Sequence, residues 1–556
     1  MFNTILWLEW RAWGMNPTGY RVVNLIIHIV DALLIWFILR KLSIPGAFLA
    51  ALIFAVHPVN VESVAWITQL RNVLTLFFFL LSIWCYLQAE TEPSKRQQQQ
   101  FMRGVDYWYG LSLATFILAM LSKGSSAALP ALLLEIIWWR RGVKKWDLIR
   151  LLPFFLISVF LTGVNIWFQT HGSGGAIRTA GFAERLLGAG GVVWFYLYKA
   201  FLPINLAFVY PQWRIEVNNP LWWLPLLAAL AVTAVLWRYR QTWARPLLFA
   251  WGFFCAALVP VMGFADVGFM KYSLVADHYQ HIAIIGVIAL AAAGWSVWRR
   301  SIQKKSRWAA TLAAVAAAGS LALLASQQSA IYRDGVTLYR ATLEKNPECW
   351  MAHNNLGGTL AQSGRQQDAQ EQFEQALGIR PDYPEAHNNL GALLSGMGRL
   401  QEAVEHYQEA IRLRPDYADA HNNLGNALDV FGRTGEAIEQ FQQALRLKPN
   451  YADAHNGLGA ALVQTGKYPE AIEQFQQAVL LKPDYLNAHI NLTIAYSMLG
   501  QHSKAVEAAE KTLEMARSQG HADLVQRIEN WLNSYRGSLP DVPNTPSPSK
   551  SAAPTP

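Results

Sequence analysis

The chain has 556 residues, of which 53% are hydrophobic and only 15% charged, and its formal net charge is +8. Ordinary soluble domains carry about 25% charged residues, so the composition excludes a single soluble globular protein and assigns much of the chain to lipid. Residues 1–331 carry 27 Lys and Arg against 12 Asp and Glu, whereas residues 332–536 carry 18 against 25. The basic half is therefore also the apolar half, which disfavours a nucleic-acid-binding protein.

The apolar half predicts ten or eleven membrane helices. A bilayer-spanning helix needs about 20 apolar residues. The predicted segments are 21–39, 45–57, 72–88, 107–122, 126–139, 149–168, 187–202, 220–237, 246–263, 279–298 and 308–326. We expect 187–202 to be re-entrant or interfacial, because a full crossing there would break the alternation of basic loops.

Basic residues cluster in alternate loops, which predicts the orientation in the membrane. The clusters are Arg40 and Lys41; Lys95, Arg96 and Arg103; Arg140, Arg141, Lys144, Lys145 and Arg150; Arg238, Arg240 and Arg245; and Arg299, Arg300, Lys304, Lys305 and Arg307. The positive-inside rule places these loops in the cytoplasm. We therefore expect an integral, multi-pass protein of the cytoplasmic (inner) membrane, with everything after residue 331 on the extracytoplasmic side.

Polar residues inside the first predicted span form a candidate site. Asn24, His28 and Asp31 are spaced i, i+4, i+7 and share one helix face. Ionisable groups within a span are costly, so this face predicts either a functional site or a buried polar contact between helices.

The predicted outward loops carry the other candidate residues. Glu62 and Asp277 are the candidate catalytic carboxylates, because a carboxylate can act as a base or bind a metal. The cationic candidates for binding a lipid-linked phosphate are Arg71, Lys123, Arg178, Lys271 and His278. The alternative for each is an ordinary interfacial role in which the charged end only reaches water.

The second half is a repeat array with a period of 34 residues. The blocks HNNLG, HNNLG, HNNLG, HNGLG and HINLT begin at His353, His387, His421, His455 and His489. The first four repeats have Leu-Gly early, Ala in the middle, an aromatic residue four positions later and a closing Pro. This pattern is typical of the tetratricopeptide repeat, which predicts two antiparallel helices per unit in an α-solenoid.

Two ladders recur along these repeats. Asn355, Asn389, Asn423 and Asn491 occupy one repeat position and resemble the asparagine ladder of the O-linked N-acetylglucosamine transferase superhelix. A side-chain amide donates and accepts hydrogen bonds, so the ladder predicts peptide binding; the alternative is that the amides only bridge neighbouring repeats. The His ladder predicts packing rather than metal binding, because successive units lie too far apart, and no metal site is assigned.

Several segments of the membrane half resemble the transmembrane-and-tetratricopeptide-repeat (TMTC-like) O-mannosyltransferase family in a bacterial form. The most specific are WGMNPTGYRVVNLIIH, HPVNVESVAWI, LSKG, FLPINLAFVYP and VADHY. The resemblance implies a GT-C fold and a polyprenyl-phosphate-linked sugar donor. It also implies transfer of a hexose such as mannose to Ser or Thr of proteins that the repeats hold.

The resemblance also implies a catalytic Asp in a first extracytoplasmic loop after a first helix. The chain starts MFNTILWLEWRAWGMNP, without an Asp, so we expect either an N-terminally incomplete chain or a lost catalytic base. His278 and Gly124 stand where relatives tend to have Arg and Glu.

The sequence thus predicts an all-α protein: a polytopic GT-C-like membrane helix bundle at 1–331, a tetratricopeptide-repeat solenoid at 332–536 and a disordered Pro/Ser-rich tail at 537–556. Its function is a membrane glycosyltransferase or, alternatively, a non-catalytic membrane-anchored scaffold that recruits envelope proteins. The expected partners are membrane lipids, the polyprenyl-phosphate sugar and acceptor or partner proteins. The lipid-linked sugar is a donor substrate, and a divalent metal is the one cofactor left open.

Overall fold

A computed structural model describes residues 2–90, 107–172, 178–264 and 268–537. These residues form α-helices joined by short 3-10 turns, with no strand among them, which confirms the all-α prediction. The chain divides into two compact units, Met1–Leu356 and Gly357–Pro556. The predicted tail beyond Gly537 and the basic loop with Lys95, Arg96 and Arg103 lie outside the described residues.

The first unit contains an apolar helix at each of the eleven predicted segments. Its helices are α1 Phe2–Trp13, α2 Pro17–Lys41, α3 Ala47–Val56, α4 Val61–Ala65, α5 Leu70–Ala89, α6 Tyr107–Ser122, α7 Leu129–Arg141, α8 Lys145–Gly172, α9 Phe182–Phe201, α10 Trp223–Arg238, α11 Arg245–Leu258, α12 Ile284–Ser301, α13 Arg307–Ile331 and α14 Gly335–Lys345, followed by the start of α15 Trp350–Gln362.

Not all of these helices are long enough to cross a bilayer alone. In the described part of the chain, five are long and apolar enough, and a sixth candidate combines α3 with 58–65 across a bend of 51°. The segment predicted to be re-entrant, α9, is not among the five. The first unit is thus a membrane domain built from full-length and shorter apolar helices.

Local sequence explains where these helices begin and end. The Asn16 side chain accepts a hydrogen bond from the Thr18 backbone at the start of α2, and Pro17 occupies the first helical turn, where its missing N–H costs nothing. α7 ends at Gly142, whose φ of 81° is open mainly to glycine. Caps of this kind place the turns between helices, where the candidate residues lie.

The helices of the first unit differ in which surface they present. α2, α3, α5, α7, α11 and α12 bury side chains such as Phe54, Phe79 and Phe254 in one core. The apolar windows of α8, α10 and α13 are only 17%, 6% and 11% buried. Exposed apolar side chains on this scale would aggregate in water, so these three helices face lipid.

The start of the predicted repeat half packs within the first unit. Tyr332, Leu338 and Met351 are buried in one cluster with Val61 and Val209. The division at Leu356 therefore falls inside the first predicted repeat, because α14 and the beginning of α15 have apolar faces that the membrane helices and the 203–219 segment cover.

The second unit consists of paired helices at the predicted period. After α15 they are α16 Gln366–Ile379, α17 Pro384–Gly396, α18 Leu400–Leu413, α19 Ala418–Val430, α20 Thr434–Leu447, α21 Ala452–Gln464, α22 Tyr468–Leu481, α23 Leu486–Met498, α24 His502–Ser518 and α25 Ala522–Gly537. In the four pairs from α15 and α16 to α21 and α22, a glycine of the first helix faces an aromatic ring of the second, which allows close packing. A Cβ on Gly425 would lie 2.8 Å from Phe441 Cε1.

Replacing Gly425 with alanine is expected to destabilise its repeat by up to about 2 kcal/mol. Overpacking costs ~1–3 kcal/mol, and the gain in helix propensity offsets about 1 kcal/mol. Gly435 provides the matched control, since nothing lies within 4 Å of its added Cβ. Amide hydrogen exchange on the full chain should show faster exchange in α19 and α20 for G425A alone. Equal exchange in G425A and G435A would contradict the close-packing argument.

Candidate functional site

Glu62 and His278 form the centre of the candidate site in the first unit. His278 Nδ1 lies 2.7 Å from Glu62 Oε1, and the His278 backbone N–H donates to Glu62 Oε2 at 3.3 Å. Their side chains are 1% and 5% exposed. Residues 216 positions apart in sequence are therefore joined by a two-point contact that fixes the carboxylate.

The break after α3 explains why Glu62 points inward. His57 ends α3, and its Nε2 donates to the carbonyl of Ala200 at 3.2 Å. Pro58 follows in a 3-10 turn, and Asn60 Nδ2 donates to the Phe54 carbonyl at 2.8 Å. These bonds hold the bent segment that begins α4 and turn Glu62 into the bundle.

Lys123 lies beside this pair in the turn after α6. Its Nζ donates to Asn72 Oδ1 at 2.7 Å and lies 5.5 Å from the centre of the Tyr279 ring. Burial, with a smaller contribution from Arg71, lowers the pKa of Lys123 to about 8, and Glu62 partly offsets this. Lys123, His278 and Tyr279 line one small cavity together with His281.

Asp277 occupies a second position next to His278. It is 2% exposed, and Tyr210 Oη donates to its Oδ1 at 2.8 Å. Burial, and then the charge of Glu62, raise the pKa of Asp277 to about 8. Tyr196 Oη accepts from the Ala276 backbone N–H and donates to its carbonyl, at 2.9 and 3.0 Å, so the segment before Asp277 is rigidly held.

The remaining predicted cations are distributed unevenly. Arg71, at the start of α5, is close enough to influence Lys123 and His278 electrostatically. Arg178 instead donates to the carbonyl of Gly263 at 2.8 Å, as Arg185 does at 2.9 Å. Lys271 lies 5.8 Å from the Trp350 ring. The site therefore unites Glu62, His278, Lys123 and Arg71, with Asp277 adjacent, while Arg178 and Lys271 are held by other groups.

Sequence reasoning did not single out three polar residues of this site. Tyr210 orients Asp277, Asn72 accepts from Lys123, and His281 shares the small cavity. Each stands within a few residues of a candidate or a quoted motif, since Asn72 follows Arg71 and His281 follows VADHY. Their partners come from distant segments, so proximity in sequence alone could not identify them.

The arrangement suits chemistry on a phosphorylated substrate. An ammonium and a guanidinium can bind phosphate oxygens, and two carboxylates in different surroundings can take separate roles as proton acceptor and positioning group. The small cavity has a volume of about 10 Å³, so a substrate would require the surrounding side chains to move.

A separate apolar cavity of about 500 Å³ lies in the first unit. It is lined mainly by aliphatic and aromatic side chains of α2, α7, α11 and α12, among them Ile38, Ile136, Phe253 and Leu290. Such a surface suits a hydrocarbon chain rather than a polar ligand.

The asparagine ladder is partly used between repeats. In the second unit, Asn423 Nδ2 donates to Asn388 Oδ1 at 3.0 Å, and Asn491 Nδ2 donates to Asn456 Oδ1 at 2.9 Å. Both ladder residues are half-buried. An amide has two N–H donors and one acceptor oxygen, so each retains capacity for a ligand.

The other two ladder asparagines are also half-buried. Asn389 lies in the second unit, on α17. Asn355 belongs to the first unit, where its Nδ2 contacts Met351 Sδ. The histidine ladder has a local structural role: each ring Nε2 donates to the carbonyl of the proline six residues earlier, as His421 does to Pro415 at 3.1 Å.

Family models agree with the repeat assignment. The model described as TPR repeat matches residues 396–428 and 432–466. Two models described as tetratricopeptide repeat match 450–518 and 320–384. The tetratricopeptide repeats predicted from the 34-residue period are confirmed.

The sequence is similar to curated proteins named as protein O-mannosyl-transferases. Protein O-mannosyl-transferase TMTC4 of Homo sapiens is 26% identical over 411 residues, which cover 64% of this chain and 54% of that protein. Protein O-mannosyl-transferase F38B6.6 of Caenorhabditis elegans is 24% identical, over 67% of this chain and 52% of its own length. The predicted resemblance is confirmed, and the chain spans about half the length of these curated relatives.

Some solved structures match about a third of the chain. A crystal structure of MamA is 26% identical and covers 30% of this chain and 97% of its own, with a TM-score of 0.28. TTC0263, a thermophilic TPR protein of Thermus thermophilus, is 25% identical and covers 33% of this chain and 99% of its own, with a TM-score of 0.30.

Proposed function

We propose that the protein is a membrane glycosyltransferase that moves a hexose such as mannose from a polyprenyl-phosphate donor to Ser or Thr hydroxyls of proteins held by its repeats. The observation that carries the proposal is the meeting of Glu62, His278 and Lys123, with Asp277 adjacent, inside a membrane domain. The names of the relatives support the same reaction class. The proposal places the donor phosphate against Lys123 and Arg71.

In this reaction a base takes the proton of the acceptor hydroxyl, whose oxygen bonds to the sugar C1 as the C1–O bond to phosphate breaks. The polyprenyl phosphate leaves with the electron pair of that bond. Glu62 or Asp277 serves as the proton acceptor, and the cations stabilise the leaving phosphate. The apolar cavity near Ile38 and Phe253 suits the polyprenyl chain.

Sugar transfer is tested with the purified full chain in lipid nanodiscs, radiolabelled polyprenyl-phosphate mannose or glucose, and a Ser/Thr-rich acceptor protein. Labelled acceptor is the expected result. Donor binding without transfer, across both sugars and several acceptors, would overturn it.

The second candidate function is a non-catalytic membrane-anchored scaffold. One observation favours it: Glu62 and Asp277 are each 2% exposed and already bound by His278 and Tyr210, as structural carboxylates are. Capture of an envelope protein by the repeats, with unchanged capture in variants of Glu62 and no transfer, would favour the scaffold.

The proposed location is the cytoplasmic membrane, with the repeats on the extracytoplasmic side. A cysteine in place of the exposed Ser363 shows on which side of the membrane the repeats lie. An impermeant thiol reagent should label S363C in spheroplasts before lysis, in a background with Cys349 replaced by serine. Labelling only after lysis would show the opposite orientation. The membrane would then separate the repeats from a donor on its outer side.

Donor binding is expected to weaken above pH 8. Lys123 is cationic below its pKa of about 8, so its contact with phosphate is present at pH 7 and is lost as pH rises through 8. Loss of one charge-assisted contact of about 1.5–3 kcal/mol lowers affinity by roughly 10- to 100-fold. Titration of polyprenyl phosphate into the protein between about pH 6.5 and 9.5, which brackets this pKa, measures the loss.

Two variants test whether Lys123 causes that pH dependence. K123R keeps its charge throughout the range and should lose the step near pH 8. D277N removes another nearby group with a pKa of about 8 and should retain the step. A loss of affinity near pH 8 that persists in K123R would show that Lys123 is not the phosphate ligand. The control variant K305M, at an exposed lysine, should bind as wild type does.

A further inference from the structure

Three metal-ligating side chains meet beside the candidate site. His28 and Asp31 lie one turn apart on α2, and His281 follows Tyr279 in the loop before α12. Each offers one ligand atom, and the three atoms lie within 4.8 Å of one another. Donors around a tetrahedral zinc ion with bonds near 2.0–2.1 Å are about 3.3 Å apart, so small rotations would bring them to a metal.

The three side chains are buried without hydrogen-bond partners on their facing atoms. Asp31 is 0% exposed, His28 3% and His281 4%. In the described structure both Asp31 oxygens, His28 Nδ1 and His281 Nε2 lack a partner. Buried polar atoms are nearly always satisfied, and an isolated carboxylate is costly to bury. A bound ligand that accepts lone pairs would satisfy these atoms.

The remaining contacts of His28 prepare it for that ligand. His28 Nε2 donates to the Ala55 carbonyl at 3.2 Å, which leaves the lone pair on Nδ1. A backbone acceptor on the distal nitrogen is the usual way in which proteins orient a metal-binding imidazole. Phe54 packs against both rings, with centroids 5.2 Å from His28 and 5.7 Å from His281, and so holds their orientation.

We propose that His28 Nδ1, the Asp31 carboxylate and His281 Nε2 bind one divalent transition-metal ion, of which Zn²⁺ fits the ligand set best. Two imidazoles and one carboxylate suit this metal class, and three protein ligands leave one position open. The ion would tie α2 to the loop that carries Asp277 and His278. Its role is therefore to position the candidate site, and the assignment does not depend on sugar transfer.

The first test uses the full chain purified with a tag that contains no histidine and without chelator. Elemental analysis should give one zinc per chain. After chelation, Co²⁺ should restore one equivalent and give the visible absorption of a tetrahedral site, and X-ray absorption of the zinc form should show imidazole scattering. A chain that takes up neither metal would overturn the proposal in favour of a purely hydrogen-bonded polar cluster.

Variants then assign the ligands. D31N and H281Q should lower zinc affinity by about 100-fold or more. The control variant H455Q should leave it unchanged, because His455 lies in the repeats and is hydrogen-bonded to Gln474 and Pro449. D31N preserves shape, so it keeps the test valid if H281Q fails to fold. Wild-type zinc affinity in both D31N and H281Q would show that these residues are not the ligands.

Discussion

Replacing Glu62 with glutamine is expected to reduce sugar transfer by roughly 100- to 1,000-fold at pH 7, because a positioned proton acceptor contributes about 10²–10⁴ to a rate. The carboxylate is fixed by His278 at 2.7 Å and lies close enough to Lys123 to influence it electrostatically. The amide has nearly the same shape but cannot accept the proton. The measurement is initial rate with saturating donor and acceptor, alongside thermal stability of each variant.

E216Q is the matched control because Glu216 is exposed in the loop before α10. We expect it to transfer sugar as wild type does. D277N distinguishes the two carboxylates: the larger fall in kcat identifies the proton acceptor, and the smaller fall identifies the positioning group. Wild-type rates in both E62Q and D277N would show that these two carboxylates take no part in the reaction.

Removing the asparagine ladder is expected to abolish most acceptor binding. The variant N389A/N423A/N491A loses three amides, each worth about 0.5–1.5 kcal/mol in a hydrogen bond. The sum corresponds to roughly a 10- to 1,000-fold increase in Kd for an acceptor peptide. Peptide titration with the full chain measures it, and kcat at saturating acceptor should be unchanged.

The ladder also bridges repeats, so stability must be separated from binding. Asn423 and Asn491 each donate to an asparagine of the preceding repeat, and their loss should destabilise the solenoid modestly. The control Q408A/Q442A/Q477A removes three exposed amides from the second helices. Loss of repeat stability with unchanged peptide Kd would mean that the amides serve only to bridge repeats.

The two mutational predictions separate the enzyme from the scaffold. An enzyme loses transfer in E62Q while it still captures the acceptor, and it loses capture in the ladder variant. A scaffold loses capture in the ladder variant only, and E62Q changes nothing but stability. Both variants leave the lipid-facing surfaces of α8, α10 and α13 untouched.

Patterns with a fixed period were readable from the sequence. Repetition every 34 residues predicted the helix pairs, and Gly425, in the Leu-Gly step of its repeat, lies in close contact with Phe441. Long apolar runs likewise predicted the positions of the membrane helices. Both signals depend on local spacing, which backbone geometry converts directly into helices and their buried faces.

The lengths of the membrane helices were less predictable. Several apolar runs end early, as α3 does at Val56, because Pro58 and the hydrogen bonds of His57 and Asn60 break the helix. Composition shows that a segment is apolar but not whether it crosses lipid or turns back inside the protein. Burial by neighbouring helices decides between them.

By itself the sequence determined an all-α chain of apolar helices followed by tetratricopeptide repeats, and it identified Glu62, Lys123 and His278 as candidates. Only the tertiary structure decided that these three meet, that Arg178 and Lys271 bind elsewhere, and that His281 faces His28 and Asp31. Partners as far apart as Glu62 and His278, which are separated by 216 positions, leave no periodic trace in sequence. Packing of α2, α4 and the loop before α12 brings them together, because their apolar faces share one core and exclude water from the polar groups between them.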